Sequence, residues 1–537
     1  MSSQNWKFKP VLFVMIYIMA YGIVQAQDDQ ADWVDGRPEA CTSITVGRKA
    51  SADGSVITSH TCDSHRTQAW LDIMPTKQFP KGAKQTIVKR VNDDSLVMPA
   101  YKYIKMGEIP QVQRTFGYIN TAYPCMNQHQ LAVGESTFGG RDELKSDKGL
   151  IDCQQLVHLM VQRCKTAREA IKMAGELLEK YGYNDSGECL TIADTKEVWH
   201  FEVVGPGKDR VGAIWAAQRV PDGHVSVNAN ASRIRQVDLE NTKDFMASKH
   251  LTKLAQKMGW WNPKEGAFQF CYAYDPHGRE SLASRRREWR VLSLLAPSLK
   301  LNAEWENYPF SVKPDTLVTM EKLVSIFQDY YEGTPYNFIK NITTIDDSGK
   351  TVISPLANPF MPYDMNKIFK INGGWGWRGE RTIARWYTMY ATITQSRSWI
   401  PDEIGGVVWL AWDNVASSIY IPLYSSITDV APSYKTPGRV NGFTRDCAWW
   451  AFNRLGTLAA QRWGDMRKDV EAVWSPMQKE MFKEQKRMDE KALQLLKEKP
   501  EKVKELLTQF GVDWGNKAVQ QAWNLGDFLW TKYDEKF

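Results

Sequence analysis

The stretch "EACTSITVGRKASADGSVITSHTCD", residues 39–63, decides how this chain is read. Thr42 to Val46 alternates polar and apolar residues, and Val56-Ile57-Thr58 resumes a β-type run. Asp53-Gly54 between them is a hairpin turn signal. A hairpin pairs residues symmetric about its turn. With the turn centred between Ala52 and Asp53-Gly54, Cys41 is expected opposite a residue from about 63 to 66. Asp63 is then expected beside Cys41, since directly paired side chains lie roughly 5 Å apart. A carboxylate next to a thiol hinders thiolate formation. The pairing makes chemical sense if the Ala40–Cys41 bond is cut, so that Cys41 carries a free α-amine held or oriented by Asp63. Such an amine has a pKa of roughly 7.7–8.0. It takes the thiol proton near neutral pH and returns it to a leaving amine, so one residue is nucleophile and base. On these residues alone, a buried structural or disulfide cysteine is an equal alternative.

The residues upstream fit a processed chain. Lys7 and Lys9 flank an apolar run from Val11 to Val24, and small residues follow at Val24 and Ala26. Residues 1–26 are expected to be a signal peptide, and the acidic, polar residues 27–40 a pro-segment. The apolar run falls short of the roughly twenty residues a membrane span needs. An uncleaved anchor is the competing reading. Export to a periplasm or the outside follows from either, and no stable membrane insertion is expected once the signal is cut.

Composition narrows the function. The 537 residues carry 68 basic and 62 acidic side chains, net +6, a mild balance. No basic run is interleaved with aromatics, so no nucleic-acid partner is expected. The 22 tryptophans are expected to line a core and a cleft. The eight cysteines show no CxxC and no zinc spacing, and with one withheld as a reactive thiol seven remain, so no disulfide connectivity follows. There is no His-Glu-x-x-His. No metal and no organic cofactor is expected. Ser136 does not complete a Gly-x-Ser-x-Gly elbow, because Phe138 stands where the last glycine belongs.

Further strands are expected at 130–137, 189–204, 211–220, 224–230 and within 404–426, and helices at 150–164, 166–182 and from about Ser284. The charged tail reads as a packed, solvated helix pair. The expected class is α+β, with antiparallel sheets and helices on them. The domain expectation is a catalytic unit over 41–475 and a C-terminal helical extension over 476–537.

Five blocks then carry a resemblance: "ACTSITVGRKASADGSVI" (40–57), "MNQHQLAVGESTFGGR" (126–141), "VWHFEVVGPG" with "WAAQRVPDGHVSVNANASRI" (198–234), "YAYDPHGRESLASRRREWRVLSLLAPS" (272–298) and "IPDEIGGVVWLAWDN" (400–414). In this order they resemble the cysteine dipeptidases of the N-terminal nucleophile (Ntn) hydrolases, similar to bacterial dipeptidase A and more distantly to penicillin V acylases and bile salt hydrolases. The resemblance covers most of 41–435. It implies a four-layer αββα sandwich, loss of everything before Cys41, and hydrolysis of short peptides, mostly dipeptides, without a cofactor.

Carried over residue by residue, Cys41 matches the nucleophile and Asp63 the aspartate closing an Arg-Asn-x-Asp motif. That motif reads His60-Thr61-Cys62-Asp63 here. His60 replaces an arginine that stays charged with an imidazole that titrates near neutrality. Cys62 is expected to be a small strand residue facing away from Cys41. Asn230 matches the asparagine that binds the oxyanion, with Asn228 two residues away as the alternative. Arg287 matches the arginine that reaches the nucleophile from a helix, with Arg285 and Arg286 close enough to blur the assignment. Glu135, His60 and Asn228 are expected to contact substrate, Glu135 through a substrate ammonium. Two other functions stay open: a linear-amide acylase, and an exported binding protein without activity, which His60 and Cys62 make thinkable. The preferred dipeptide and any association into a homo-oligomer stay open too.

Overall fold

The computed structural model describes residues 40–64, 67–93, 100–360 and 381–536. The expected signal peptide and nearly all of the pro-segment lie outside the described residues. No helix among them is long and apolar enough to cross a membrane.

The hairpin forms as its sequence demands. The Asp53 carboxylate accepts from the Ser55 N–H (3.0 Å) and hydroxyl (2.6 Å), and Gly54 takes φ +85°. Only glycine adopts that conformation without steric cost. The flanking strands are Ser43–Val46 and Val56–Asp63. They sit in a seven-stranded sheet ordered Ser311–Val312, Val225–Asn228, Ser43–Val46, Val56–Asp63, Thr388–Ser396, Val407–Trp412, Ile421–Tyr424. A second sheet of eight strands runs from Phe245–Ala247 through Ile214–Val220, Val198–Val204, Gly187–Ala193, Ala132–Gly139, Pro124–Asn127 and Tyr118–Asn120 to Asp72–Met74. Every pairing in both is antiparallel.

The sheets meet through hydroxyl groups as well as apolar side chains. Ser43 Oγ donates to the Glu135 carbonyl (2.8 Å), Thr58 Oγ1 lies 2.6 Å from Thr191 Oγ1, and Thr45 Oγ1 lies 3.1 Å from His200 Nε2. Gly134 permits this approach, because a Cβ there would collide with the Ser59 carbonyl oxygen and the Thr191 hydroxyl. The close approach delivers the next residue, Glu135, to Cys41.

Helices Cys153–Arg163 and Ala167–Tyr181 pack on the eight-stranded sheet. Thr166 and Glu169 form a capping box at the start of the second, and Gly182 ends it. Helix Leu282–Leu295 lies against strand Val225–Asn228. Helices Ala448–Gln461, Trp463–Glu498 and Val503–Tyr533 pack on one another and on the far strands of the seven-stranded sheet.

Two expectations need correction. Residues 189–204 form two strands, Gly187–Ala193 and Val198–Val204, because Asp194 accepts from the Lys196 and Glu197 N–H groups (2.7 and 3.0 Å) and closes a turn. The tail helix starts ahead of Pro476, since helix Trp463–Glu498 runs through it. The expected packed helix pair forms: the two long tail helices lie on one another and bury Met481, Leu507 and Trp514 in the main core, and Asp489 accepts from Arg397 Nη2 (3.1 Å) and Tyr424 Oη (2.8 Å).

Candidate active site

Cys41 stands at the head of its strand, one residue past Ala40. Ala40 and Asp63 exchange both backbone hydrogen bonds: Ala40 N–H to Asp63 O (3.2 Å) and Asp63 N–H to Ala40 O (2.9 Å). The same register, Val46 opposite Ile57, places Cys41 opposite Cys62. The expected partner range of 63–66 is thus one step too far, and Cys62 shares the face of Cys41 instead of facing away. Between these pairs the strands are pried apart by side chains: the Thr42 N–H donates to Thr61 Oγ1 (2.9 Å) and the Ile44 N–H to Ser59 Oγ (2.8 Å).

Each polar atom of Cys41 has a partner. Its N–H donates to Asn230 Oδ1 (3.0 Å), its carbonyl accepts from Arg287 Nη1 (2.7 Å), and its thiol donates to Glu135 Oε2 (3.1 Å). Cys41 is 1% exposed. Burial first, then the Glu135 charge, then Cys62 and Asp63, push its pKa well above the ordinary thiol value. These surroundings favour the protonated thiol.

Asn230 lies just beyond strand Val225–Asn228, at φ +62°, and not on the strand face shared with Asn228. Asparagine tolerates that left-handed conformation better than most residues. Its Oδ1 also accepts from Arg287 Nη2 (2.8 Å), and its Nδ2 donates to the Thr137 carbonyl (2.6 Å). Two buried carboxylates fix the following turn: Glu202 accepts from Ser232 Oγ (2.5 Å) and the Arg233 N–H (2.7 Å), and Asp275 from the Ser232 N–H (2.9 Å). Asn228 is turned to this turn as well, with its Nδ2 on the Ala231 carbonyl (3.0 Å).

Arg287 is wholly buried. Besides Cys41 and Asn230 it reaches Thr42 Oγ1 and the Ala229 carbonyl (both 2.9 Å). Burial, with help from Arg381, pulls its pKa down to about 9, so it remains cationic near neutrality. Arg285 and Arg286 turn to residues 280 and 303–305 and Arg290 to Asp329, which resolves the arginine cluster.

Asp63 contributes differently from expectation. Its carboxylate is taken by Arg381, Thr388 Oγ1 (2.7 Å) and Thr61 Oγ1 (3.4 Å). The group on the Cys41 nitrogen is Asn230, and Asp63 meets the 40–41 peptide through its backbone. His60 lies with Nδ1 2.8 Å from the Glu135 carbonyl oxygen and 3.5 Å from Glu135 Oε2. Thr137 Oγ1 bridges Glu135 (2.9 Å) and Glu188 (2.7 Å). Burial and the Glu135 charge raise Glu188 well above the usual carboxylate range.

The structure thus gathers Cys41, His60, Glu135, Asn230 and Arg287 in one largely buried cluster, with Asp63 behind it and Asn228 at its margin. Sequence reasoning missed Arg381, Thr388, Glu202, Asp275 and Glu188. All eight cysteines are buried and none forms a disulfide.

Comparison with known proteins gives the class first: the chain is a peptide-bond hydrolase. The profile of peptidase family C69 matches residues 40–476, and the chain belongs to this family. A probable dipeptidase of Salmonella dublin is 24% identical over 407 residues, covering 74% of this chain and 83% of its own length. A probable dipeptidase B of Lactococcus lactis is 26% identical over 413 residues (74% and 77%). Dipeptidase A of Lactobacillus helveticus is 23% identical over 410 residues (75% and 78%).

Proposed function

We propose that the chain is an exported cysteine dipeptidase whose working form begins at Cys41, on a four-layer αββα Ntn scaffold. One observation carries this reading: a single buried residue has its nitrogen, carbonyl and sulfur each held by a separate side chain. The dipeptidase names of the relatives support the substrate class, and the signal-like residues 1–26 support export.

In the uncut chain Glu135 is the group placed to accept the thiol proton. The thiolate attacks the Ala40 carbonyl carbon, whose oxygen already accepts from the Asp63 N–H (2.9 Å). The bond to the Cys41 nitrogen breaks, Glu135 returns the proton to that nitrogen, and Ala40 is left as a thioester on Sγ. Water hydrolyses the thioester, freeing an Ala40 carboxylate, a thiol and an α-amine. A cationic amine at this point reverses the local sign of charge and favours the thiolate.

Turnover repeats the chemistry on a dipeptide. The amine takes the Cys41 proton, the thiolate attacks the peptide carbonyl, and the proton passes to the leaving amine. Asn230 Oδ1 orients the Cys41 nitrogen. An amide nitrogen carries two hydrogens, and the one not on Thr137 serves the oxyanion. Arg287 holds the Cys41 carbonyl and the Asn230 amide together.

The test is a substrate panel on purified protein. Unblocked dipeptides are expected to be cleaved and N-acylated ones refused. Cleavage of penicillin V or a bile-salt amide in preference to dipeptides would make the protein an acylase. No cleavage of any kind, with the 40–41 bond intact, would make it a binding protein.

A further inference from the structure

One side chain in the cluster has no task in the chemistry above. His60 is buried, and among the described residues its Nε2 has no hydrogen-bond partner. The ligating atoms of Cys41, His60 and Glu135 all lie within 4.8 Å of one another. We propose that these three side chains form a binding site for a thiophilic divalent cation of the zinc class, and that a bound cation holds the enzyme inactive.

Thiolate, imidazole and carboxylate are the donor types zinc takes, with bonds of roughly 2.3, 2.0–2.1 and 2.0–2.2 Å. Around a tetrahedral centre such bonds set donors roughly 3.5 Å apart. Two of the separations here are already 3.1 Å (Cys41 Sγ to Glu135 Oε2) and 3.5 Å (His60 Nδ1 to Glu135 Oε2). Small side-chain rotations therefore suffice to close the set. Ligation through Nε2 breaks no existing bond, and ligation through Nδ1 exchanges its bond to the Glu135 carbonyl for one to the metal. Two donors come from separate strands and the third from the residues leading into another, so the site exists only in the folded chain.

Binding replaces the thiol proton by the cation, and the proton passes to buffer. The charge of the cation also offsets the crowding of acidic groups around the sulfur. The sulfur pair that would attack a peptide is then engaged. Three protein donors leave a fourth position, and the α-amine of a processed Cys41 forms a five-membered chelate with its own thiolate in that position. The cation is thus an inhibitor, and removing it with a chelator is expected to leave or raise activity. The placement of donors stands apart from the processing reading.

The experiment titrates Co²⁺ and then Zn²⁺ into purified full-length protein. One equivalent of Co²⁺ is expected to give a sulfur-to-cobalt charge-transfer band in the near ultraviolet, displaced by Zn²⁺. Cys41→Ser should remove the band. His60→Ala and Glu135→Gln should each weaken zinc binding by at least about tenfold, a loss that even outer-shell partners produce. Metal-free thermal unfolding checks each fold, and His60→Asn serves if His60→Ala does not fold. Absence of the band, or zinc affinity unchanged in the His60 and Glu135 variants, overturns the proposal. If the protein binds cobalt through sulfur but cleaves no peptide, the dipeptidase reading fails and the cation site stands.

Discussion

Two buried polar clusters meet at helix Leu282–Leu295, and they solve opposite problems. In the first, Arg279 grips Glu288 with two hydrogen bonds (2.8 and 3.1 Å), and Arg233 adds a third contact at 3.3 Å. Burial alone would raise Glu288, but the two guanidiniums outweigh it and hold the carboxyl below its usual range. In the second, the Cys41 thiol donates to Glu135, with Cys62 and Asp63 nearby, all of one sign when ionised. Burial and these neighbours push the thiol up, and Glu188 beside Glu135 rises for the same reasons. A cluster whose charges satisfy one another is scaffolding, while one that sets a thiol against a carboxylate, with no lysine or arginine on either among the described residues, is where proton chemistry is stored. The first also braces the second, since Glu288 is the neighbour of Arg287 on the same helix.

That contrast breaks most visibly at Cys41. Cys41→Ala is expected to abolish hydrolysis while changing unfolding free energy by no more than about 1 kcal/mol, because it removes a thiol that burial already disfavours ionising. Activity assays and urea midpoints measured together check both halves. Glu288→Ala should do the reverse of the stability half: two buried guanidiniums lose their partner, a loss of about 3–5 kcal/mol. A urea midpoint close to that of the unaltered chain would deny the scaffolding role.

Between the clusters, Asn230→Ala should lower kcat by roughly 10²–10³, the loss typical of one oxyanion donor. Steady-state kinetics check this, and a change confined to KM would remove Asn230 from the chemistry. The smallest effect concerns Glu188. Its pKa is raised in the folded state, against about 4.3 in the unfolded chain. The stability it contributes is present below about pH 4 and is lost as pH rises toward its folded value. Gln at 188 does not titrate. The thermal advantage of Glu188→Gln over the unaltered chain should therefore grow as pH rises above about 4.5, and a constant gap would contradict it.

How much of this was readable in the sequence depends on distance along the chain. The hairpin, the helix over 166–182 and the helix holding Arg287 follow from local rules of turn and period, so they were legible. Register is less forgiving. Asp53-Gly54 marks the turn but not its length, and an offset of one residue exchanged Cys62 for Asp63 opposite Cys41. The partners of Asp63 were invisible because Arg381 and Thr388 lie over 300 residues away, with no local signal tying them to it. Glu202 and Asp275 were hidden for a related reason: a carboxylate that caps a distant turn looks like any other acidic residue until the sheets stack. The left-handed Asn230 was masked by a strand-like run, "HVSVNAN", whose alternation continues two residues past the last paired one.

The central claim is that the amine of Cys41 serves its own sulfur, and the most direct measurement is the intact mass of the purified active protein beside that of Cys41→Ala. The account predicts that the active chain starts at residue 41 and that the variant retains residues 27–40. An enzyme that cleaves dipeptides while beginning at any residue before Cys41 would contradict it.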